Sequence, residues 1–230
     1  MYINKPEVLI SDFDRTMTYL YQDTNLLIDL ANKMVTFYSE NIDVPQKYKE
    51  GNIDGYFVWH NLHEIAVSRL PYEISEKINK KADDIVADFE LQIIKRIGLF
   101  SGIVESINSL NKLGIHLGIV SSNATSTVTY PLKETGIFDK FDYIEGRPYP
   151  FNPELIKPNP YPINKALSAM NASVTSSWYV GDDVVDIIAA NAAHVISVGV
   201  CTGRHTKEEL LEAGADLIFN SFNDIIKYLE

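Results

Sequence analysis

Short apolar runs alternate with longer amphipathic stretches along this chain, and the alternation restricts its fold more than any other feature. The apolar runs are β-branched and bounded by turn residues, which is typical of buried parallel strands. Strands are predicted at Val8–Ile10, Ile115–Val120, Trp178–Val180, Val195–Val200 and Asp216–Phe219. Helices are predicted at Ile103–Leu113, Ser126–Thr135, Pro162–Met170, Val184–Ala193 and Lys207–Ala213. The pattern predicts an α/β fold built on a doubly wound parallel sheet.

The interval from about Tyr19 to Gly98 breaks this alternation, because it contains no strand-like run. Its helix-compatible runs are Asn25–Glu40, Tyr56–Arg69 and Ile74–Ile97. We therefore expect an α-helical insertion, residues 19–98, in a core formed by residues 1–18 and 99–230. The insertion follows the first strand, so it would project from the carboxyl edge of the sheet, where open α/β sheets bind ligands.

Composition narrows the functional class. The net charge of -11 argues against nucleic acid and anionic membrane surfaces as partners. No apolar run approaches the roughly 18 residues of a membrane span, and Met1–Glu7 lacks the layout of a signal peptide, so a cytoplasmic protein is expected. Cys201 is the only cysteine, which excludes an intrachain disulfide and a cysteine-rich metal site.

The first strand runs into Asp12-Phe13-Asp14. Residues two apart on a strand point to the same face, so the two carboxylates can meet at the strand's end. An acidic turn would also explain this pair, since aspartate is common in turns. The pair alone is therefore weak support for a catalytic site.

Two further segments could bind an anion. The second strand ends in Ser121-Ser122-Asn123, which places hydroxyls and backbone N–H groups at a helix entrance, although an ordinary helix cap would look the same. Lys157 lies in a proline-stiffened approach to the next helix and could neutralise a phosphate, although a surface lysine is the simpler interpretation.

Three carboxylates, those of Asp182, Asp183 and Asp186, follow the strand at Trp178–Val180 within one turn. Helix capping explains one of them. Three are more than capping needs, and Mg²⁺ is commonly held by one or two carboxylates together with phosphate oxygens. The cluster therefore predicts a magnesium site.

Taken in order, these pieces resemble the haloacid dehalogenase superfamily, in particular its phosphoglycolate phosphatase-like branch with a helical C1-type cap. The first motif is met by Asp12, Asp14 and Thr16, the second by Ser121, the third by Lys157, and the fourth by Gly181, Asp182 and Asp186. Leu99–Ile103 is similar to the family's re-entry from the cap into the core. Four ordered motifs are far more specific than any one of them.

The resemblance implies a Rossmann-like core and a magnesium-dependent phosphatase that acts on a small phosphorylated metabolite, as a monomer or a homodimer. It assigns Asp12 as the nucleophile that forms an aspartyl phosphate and Asp14 as the general acid and base, with Ser121 and Lys157 neutralising the phosphoryl group. Magnesium would be held by the Asp12 side chain, the Asp14 carbonyl and Asp182, with Asp183 or Asp186 assisting. Thr16, Ser122, Asn123 and Arg15 are further candidates for contacting phosphate or substrate.

Two departures from the family pattern weaken any transfer of substrate identity. Arg15 stands where this branch usually has glycine, and Tyr19–Tyr21 replace an acidic and small continuation. Arg15 is either a solvated flank or a residue that reaches the substrate. Ser122 is an alternative to Ser121 for the second motif, because the register is uncertain by one residue.

Other functions are open to the same fold. Asp14 and the acidic cluster disfavour a dehalogenase, whereas a phosphomutase would share every core motif, and a non-catalytic binding or regulatory protein could keep the fold. We expect the insertion to choose the substrate and to move as a lid. Its richest stretch is Asn52–Arg69, in which Phe57 and Trp59 are expected to pack its core; His60 and His63 lack a third ligand for zinc.

Overall fold

The computed structural model describes residues 4–230. Met1, Tyr2 and Ile3, on which part of the signal-peptide argument rests, lie outside the described residues. The described chain forms a six-stranded parallel sheet in the order β3-β2-β1-β4-β5-β6. The strands are β1 Val8–Ser11, β2 His116–Val120, β3 Tyr143–Glu145, β4 Ser177–Gly181, β5 Ile196–Val200 and β6 Leu217–Phe219. This confirms the predicted α/β fold with a doubly wound parallel sheet.

The central strands are apolar because both faces of the sheet are covered. Every residue of β1 and β4 is buried. One face packs on two helices, α7 (Tyr161–Ala169) and α8 (Val184–Ala192), whose small and branched side chains fill the space above the sheet. The core helices are α5 Ile103–Lys112, α6 Thr125–Glu134, α7 Tyr161–Ala169, α8 Val184–Ala192, α9 Lys207–Glu212 and α10 Asp224–Leu229.

The strand order reverses at β1, which pairs with β2 on one side and with β4 on the other. The carboxyl ends of these three strands therefore lie next to one another. In open parallel sheets, this reversal point is where ligands bind. The acidic and serine segments noted in the sequence follow β1, β2 and β4, so the topology brings them to one edge.

One strand and one α-helix of the core were not predicted from the sequence. The strand β3 has three residues, all only half-buried, and it pairs with β2 alone, so it shows no continuous apolar run. The helix α10 has six residues, fewer than two turns, which is too short for a clear helical period.

The structure divides into two compact units. One contains the described residues up to Leu20, together with Ile93–Arg147 and Glu154–Glu230, and holds the sheet. The other contains Tyr21–Gln92 and Pro148–Pro153 and is helical. Its helices are α1 Asn25–Ser39, α2 Gln46–Lys49, α3 Gly55–Arg69 and most of α4 Tyr72–Ile97. That the helical unit selects the substrate and moves as a lid stays a prediction.

The helices α1 and α3 pack closely where α3 begins. A Cβ at Gly55 would lie 2.6 Å from the Leu27 carbonyl oxygen and from Leu30 Cβ, so glycine permits this approach. Trp59 is fully buried, as predicted, but the same prediction is wrong for Phe57, which is 54% exposed. The two residues are two positions apart on one helix and so point to different faces. Among the described residues, none of the helices is long and apolar enough to cross a membrane.

Candidate active site

The first acidic segment follows β1 directly. The Asp12 N–H donates to the Val180 carbonyl across the sheet at 2.8 Å, so the strand pairing fixes the start of the loop. Asp12 is buried, with 8% of the residue exposed, whereas Asp14 is half-buried. The Asp14 Oδ1 accepts the Leu20 N–H at 2.8 Å, which orients its carboxylate. The structure thus presents one buried and one more accessible carboxylate at the edge where β1 ends.

Lys157 is a buried cation shared by two carboxylates. Its Nζ lies 2.7 Å from Asp12 Oδ1 and 2.5 Å from Asp186 Oδ1, and the lysine is only 7% exposed. Burial alone would lower the pKa of Lys157, but Asp12 and Asp186 outweigh it and hold the pKa well above its ordinary value. Lys157 is therefore charged. The surface-lysine interpretation of this residue is wrong.

The same carboxylates belong to an acidic group. One side-chain oxygen from each of Asp12, Asp182 and Asp186 lies within 4.8 Å of the others, and all three residues are buried. Burial, followed by the charges of Asp186, Asp12 and Asp14, raises the pKa of Asp182 to about 9. Burial likewise raises the pKa of Asp186, to about 6, although Lys157 opposes the shift. Crowded carboxylates of this kind favour a cation among them.

The individual oxygens of this group differ in their partners. Asp182 Oδ2 is buried and has no hydrogen-bond partner, while Thr16 Oγ1 donates to Asp182 Oδ1 at 3.4 Å. Both oxygens of Asp186 are engaged, because Oδ1 accepts from Lys157 and Oδ2 accepts the Asp183 N–H at 3.1 Å. Asp182 therefore offers an available oxygen, whereas Asp186 mainly anchors Lys157.

Asp183 points to a different set of partners. It is the N-cap of α8, where its Oδ1 accepts the Val185 N–H at 3.1 Å. Arg204 donates to its Oδ2 through Nε at 3.2 Å and Nη2 at 3.0 Å, and His205 Nε2 lies 3.3 Å from Oδ1. The structure thus places two of the three aspartates after β4 in the acidic group and the third at a helix cap.

The serine segment lies at the end of β2, before α6. Ser121 is buried; its Oγ accepts the Asn123 N–H and donates to Asn123 Oδ1, both at 3.2 Å. Asn123 is also buried, whereas Ser122 is exposed. Ala124 is the N-cap residue of α6, and its own side chain makes no capping hydrogen bond.

Arg15 adopts an unusual backbone conformation for a non-glycine residue, with φ of 56°. Thr202 Oγ1 donates to its carbonyl oxygen in a very short hydrogen bond. The Cζ atom of its guanidinium lies 5.6 Å from the centre of the Tyr19 ring. The positive charge of Arg15 acts to lower the pKa of Asp182, against the effect of burial. Arg15 is therefore half-buried beside the acidic group and is not a fully solvated flank.

One functional segment was not recognised in the sequence: Thr202, Gly203, Arg204 and His205, here called the 202–205 loop. It follows β5 at the same edge of the sheet and contacts Arg15 through Thr202 and Asp183 through Arg204 and His205. In the sequence, the only indication of this loop is a run of turn and polar residues directly after a buried strand.

The residues fit a divalent metal ion. The oxygens of Asp12 and Asp182 are hard ligands, which Mg²⁺ prefers, and the buried Asp182 Oδ2 lacks any protein donor. The Lys157 ammonium contacts Asp12 and Asp186, whereas Asp182 Oδ2 accepts no hydrogen bond, so the lysine does not satisfy that oxygen. The protein thus supplies an anionic, oxygen-lined position that a cation would complete.

Comparisons with known proteins identify the family of this chain. A family model described as haloacid dehalogenase-like hydrolase matches residues 9–200. The phosphoglycolate phosphatase of Colwellia psychrerythraea is 25% identical over 230 residues, which cover 98% of each chain. The pyrophosphatase PpaX of Listeria welshimeri is 29% identical over 147 residues, covering 64% of this chain and 61% of that protein.

Solved structures share the fold across nearly the whole chain. The β-phosphoglucomutase of Clostridium difficile has a TM-score of 0.66 at 22% identity, covering 97% of this chain and 95% of that one. At this identity the likeness concerns the fold alone.

Proposed function

We propose that this chain, which belongs to the haloacid dehalogenase-like hydrolase family, is a magnesium-dependent phosphatase that forms an aspartyl phosphate on Asp12. The substrate class is a small phosphorylated metabolite. One observation carries the proposal: the buried Lys157 ammonium bridges Asp12 and Asp186, beside a buried Asp182 oxygen that has no partner. In this arrangement Lys157 favours the charged form of Asp12, and the Asp182 oxygen leaves a place for a cation, which phosphoryl transfer uses to offset negative charge.

Asp12 acts as the nucleophile. Burial raises the pKa of its carboxyl, while Lys157, at 2.7 Å, favours the charged form. A carboxylate oxygen of Asp12 forms a bond to phosphorus as the bond from phosphorus to the leaving oxygen breaks. Water then attacks phosphorus, the bond to Asp12 breaks, and inorganic phosphate is released.

Asp14 moves the protons. Its half-buried carboxyl donates a proton to the leaving oxygen in the first step and takes one from the attacking water in the second. The Leu20 N–H, 2.8 Å from Oδ1, fixes the orientation of the carboxyl group. The more accessible Asp14 thus serves as the general acid and base, and the buried Asp12 serves as the nucleophile.

Other residues stabilise the phosphoryl group. Lys157 offsets its negative charge, and Ser121 and Asn123, at the entrance of α6, orient it with polar side chains. We infer that Thr16 acts through Asp182, because its hydroxyl donates to Asp182 Oδ1 at 3.4 Å. Ser122 and Arg15 stay predicted contacts to the substrate.

The metal would be held by Asp12, the Asp14 carbonyl and Asp182. When bound, Mg²⁺ supplies positive charge that stabilises phosphoryl oxygens during transfer. Asp186 supports this group by holding Lys157, and Asp183 supports it as the cap of α8. The magnesium assignment rests on the oxygen-only donor set.

A screen of phosphorylated metabolites with the purified protein and Mg²⁺ tests the proposal. Nitrophenyl phosphate serves as the generic substrate, and Asp12→Asn protein from the same preparation serves as the control for contaminating phosphatases. Magnesium-dependent phosphate release by the wild type alone supports the proposal. Release without any bisphosphate primer separates a phosphatase from a phosphomutase. Absence of turnover on every substrate, in protein shown to bind Mg²⁺, would contradict it.

A further inference from the structure

Gly203 lies against the Asp182 carboxylate. A Cβ built on Gly203 would fall 1.7 Å from Asp182 Oδ2, 2.6 Å from Cγ and 2.9 Å from Cβ. These separations are far shorter than any van der Waals contact, so a side chain cannot occupy this position while Asp182 keeps its orientation. Only the hydrogen atoms of a glycine fit between the loop and the carboxylate.

The backbone of Gly203 does not itself require glycine. Its φ lies outside the left-handed range, in contrast to Gly98, Gly102 and Gly214. A substitution there would therefore cause no intrinsic backbone strain. The approach of Gly203 to Asp182 is therefore the reason that this position needs glycine.

The oxygen that Gly203 faces is the buried Asp182 Oδ2 without a hydrogen-bond partner. The other oxygen has one weak protein contact, from Thr16 Oγ1 at 3.4 Å. Hydrogen bonds thus fix this carboxylate only loosely, and its direction depends on the steric contact with the 202–205 loop.

The loop is held firmly on both sides of Gly203. Thr202 Oγ1 donates to the Arg15 carbonyl, which ties it to the segment after β1. Arg204 makes two hydrogen bonds to Asp183, which ties it to the segment after β4. The backbone is therefore attached to the core on both sides of Gly203.

We propose that Gly203 is a positioning residue for the metal site: it directs the Asp182 carboxylate toward the metal, with Thr202 and Arg204 holding the loop in place. The inference rests on the proposed metal-dependent function. The glycine contributes no ligand. It leaves Asp182 in an orientation in which Oδ2 stays buried without a hydrogen-bond partner, and a larger side chain would rotate that oxygen away.

Gly203→Ala tests this inference through direct titration of the protein with Mg²⁺ by calorimetry, without substrate. Loss of residues that orient a metal ligand typically weakens binding by about 10–100-fold, and we expect a loss in that range. Gly199→Ala is the matched control. Its Cβ would meet Ile218 Cδ1 at 2.6 Å and Leu210 Cδ1 at 3.1 Å, so it disturbs β5 without touching Asp182. It should lower stability and leave Mg²⁺ affinity unchanged.

A second measurement keeps the test decisive if Gly203→Ala folds poorly. Asp182→Ala removes Oδ2 and Cγ, the two atoms that the new methyl group would approach most closely, and keeps only Cβ, at 2.9 Å. Gly203→Ala should therefore lower the free energy of unfolding much more in the wild-type background than in the Asp182→Ala background. Equal destabilisation in both backgrounds, or unchanged Mg²⁺ affinity in folded Gly203→Ala, would overturn the inference. Calorimetry separates this outcome from a failure of the proposed hydrolysis, because wild-type protein can bind Mg²⁺ whether or not it turns over substrate.

Discussion

The Nζ atom of Lys157 lies 2.7 Å from Oδ1 of Asp12, and both residues are buried in the sheet-containing unit. This contact joins the end of β1 to the segment before α7, which are more than a hundred residues apart in the chain. It opposes the rise in the pKa of Asp12 that burial causes, in a site that also contains Asp182 and Asp186. The mechanism proposed for the protein depends on this pair.

Lys157→Met should abolish activity and destabilise the fold, because it leaves buried carboxylates without their cation. Breaking a buried pair in this way costs about 3–5 kcal/mol. Lys165→Met is the matched control, since Lys165 pairs with Glu145 and its side chain is 49% exposed. That change should cost no more than about 1 kcal/mol. Urea denaturation measures the free energy of unfolding of both variants. Similar small losses in the two would contradict a structural role for the contacts of Lys157 with Asp12 and Asp186.

Asp14→Asn should slow turnover by roughly 10²–10⁴ through loss of proton transfer. A good leaving group needs little protonation, so nitrophenyl phosphate should partly rescue the first step. Rapid-mixing measurement of that step, with activated and unactivated leaving groups, checks the role. Equal defects for both kinds of substrate would place the function of Asp14 elsewhere.

Stability of the metal-free protein should fall as the pH rises. The pKa of Asp182 is raised from 3.8 to about 9, so the folded state binds more protons than the unfolded state between these values. A full proton of difference changes the free energy of unfolding by about 1.4 kcal/mol per pH unit. Mg²⁺ should reduce this dependence, because it stabilises the ionised carboxylate.

Thermal or urea unfolding in a chelator and in Mg²⁺, across that pH range, measures the effect. Asp182→Asn is the control, since it removes this titrating group and should flatten the metal-free profile above the pKa of Asp186, which is raised to about 6. A metal-free protein that becomes more stable as the pH rises would show that the pKa of Asp182 is not raised.

Asp183→Ala should affect stability more than metal binding. Loss of an N-cap costs about 1 kcal/mol, and Thr206→Ala, which removes the cap of α9, is a control of the same kind. The Mg²⁺ concentration for half-maximal rate should rise much less in Asp183→Ala than in Asp182→Ala. Equal increases in the two variants would place Asp183 in the metal site.

Local sequence pattern is enough to reveal most of the sheet and the edge at which the candidate site lies. The parallel strands other than β3 were predictable because burial leaves continuous apolar runs, and the carboxyl edge then located Asp12, Ser121 and Asp182. The number of acidic residues near Asp182 suggested a metal site, but sequence spacing could not distinguish the capping role of Asp183 from the inward orientation of Asp182.

The features missed from the sequence depend on contacts between distant segments. Gly203 looks like an ordinary turn glycine until the fold brings it against Asp182. The Thr16 hydroxyl contacts Asp182, 166 positions further along the chain. Phe57 and Trp59 resemble one aromatic cluster in the sequence, yet helical geometry exposes the first and buries the second. In each case the environment of the residue depends on how the chain packs, and the neighbouring residues in the sequence do not reveal it.

The central claim, that Asp12 carries the phosphoryl group, is tested most directly by acid quenching the enzyme during turnover of a radiolabelled phosphate ester and mapping the labelled peptide. Label should appear in the peptide that contains Asp12, disappear on a chase with unlabelled substrate, and be absent from Asp12→Asn. Continued magnesium-dependent hydrolysis by Asp12→Asn, or label on a different residue, would contradict the account.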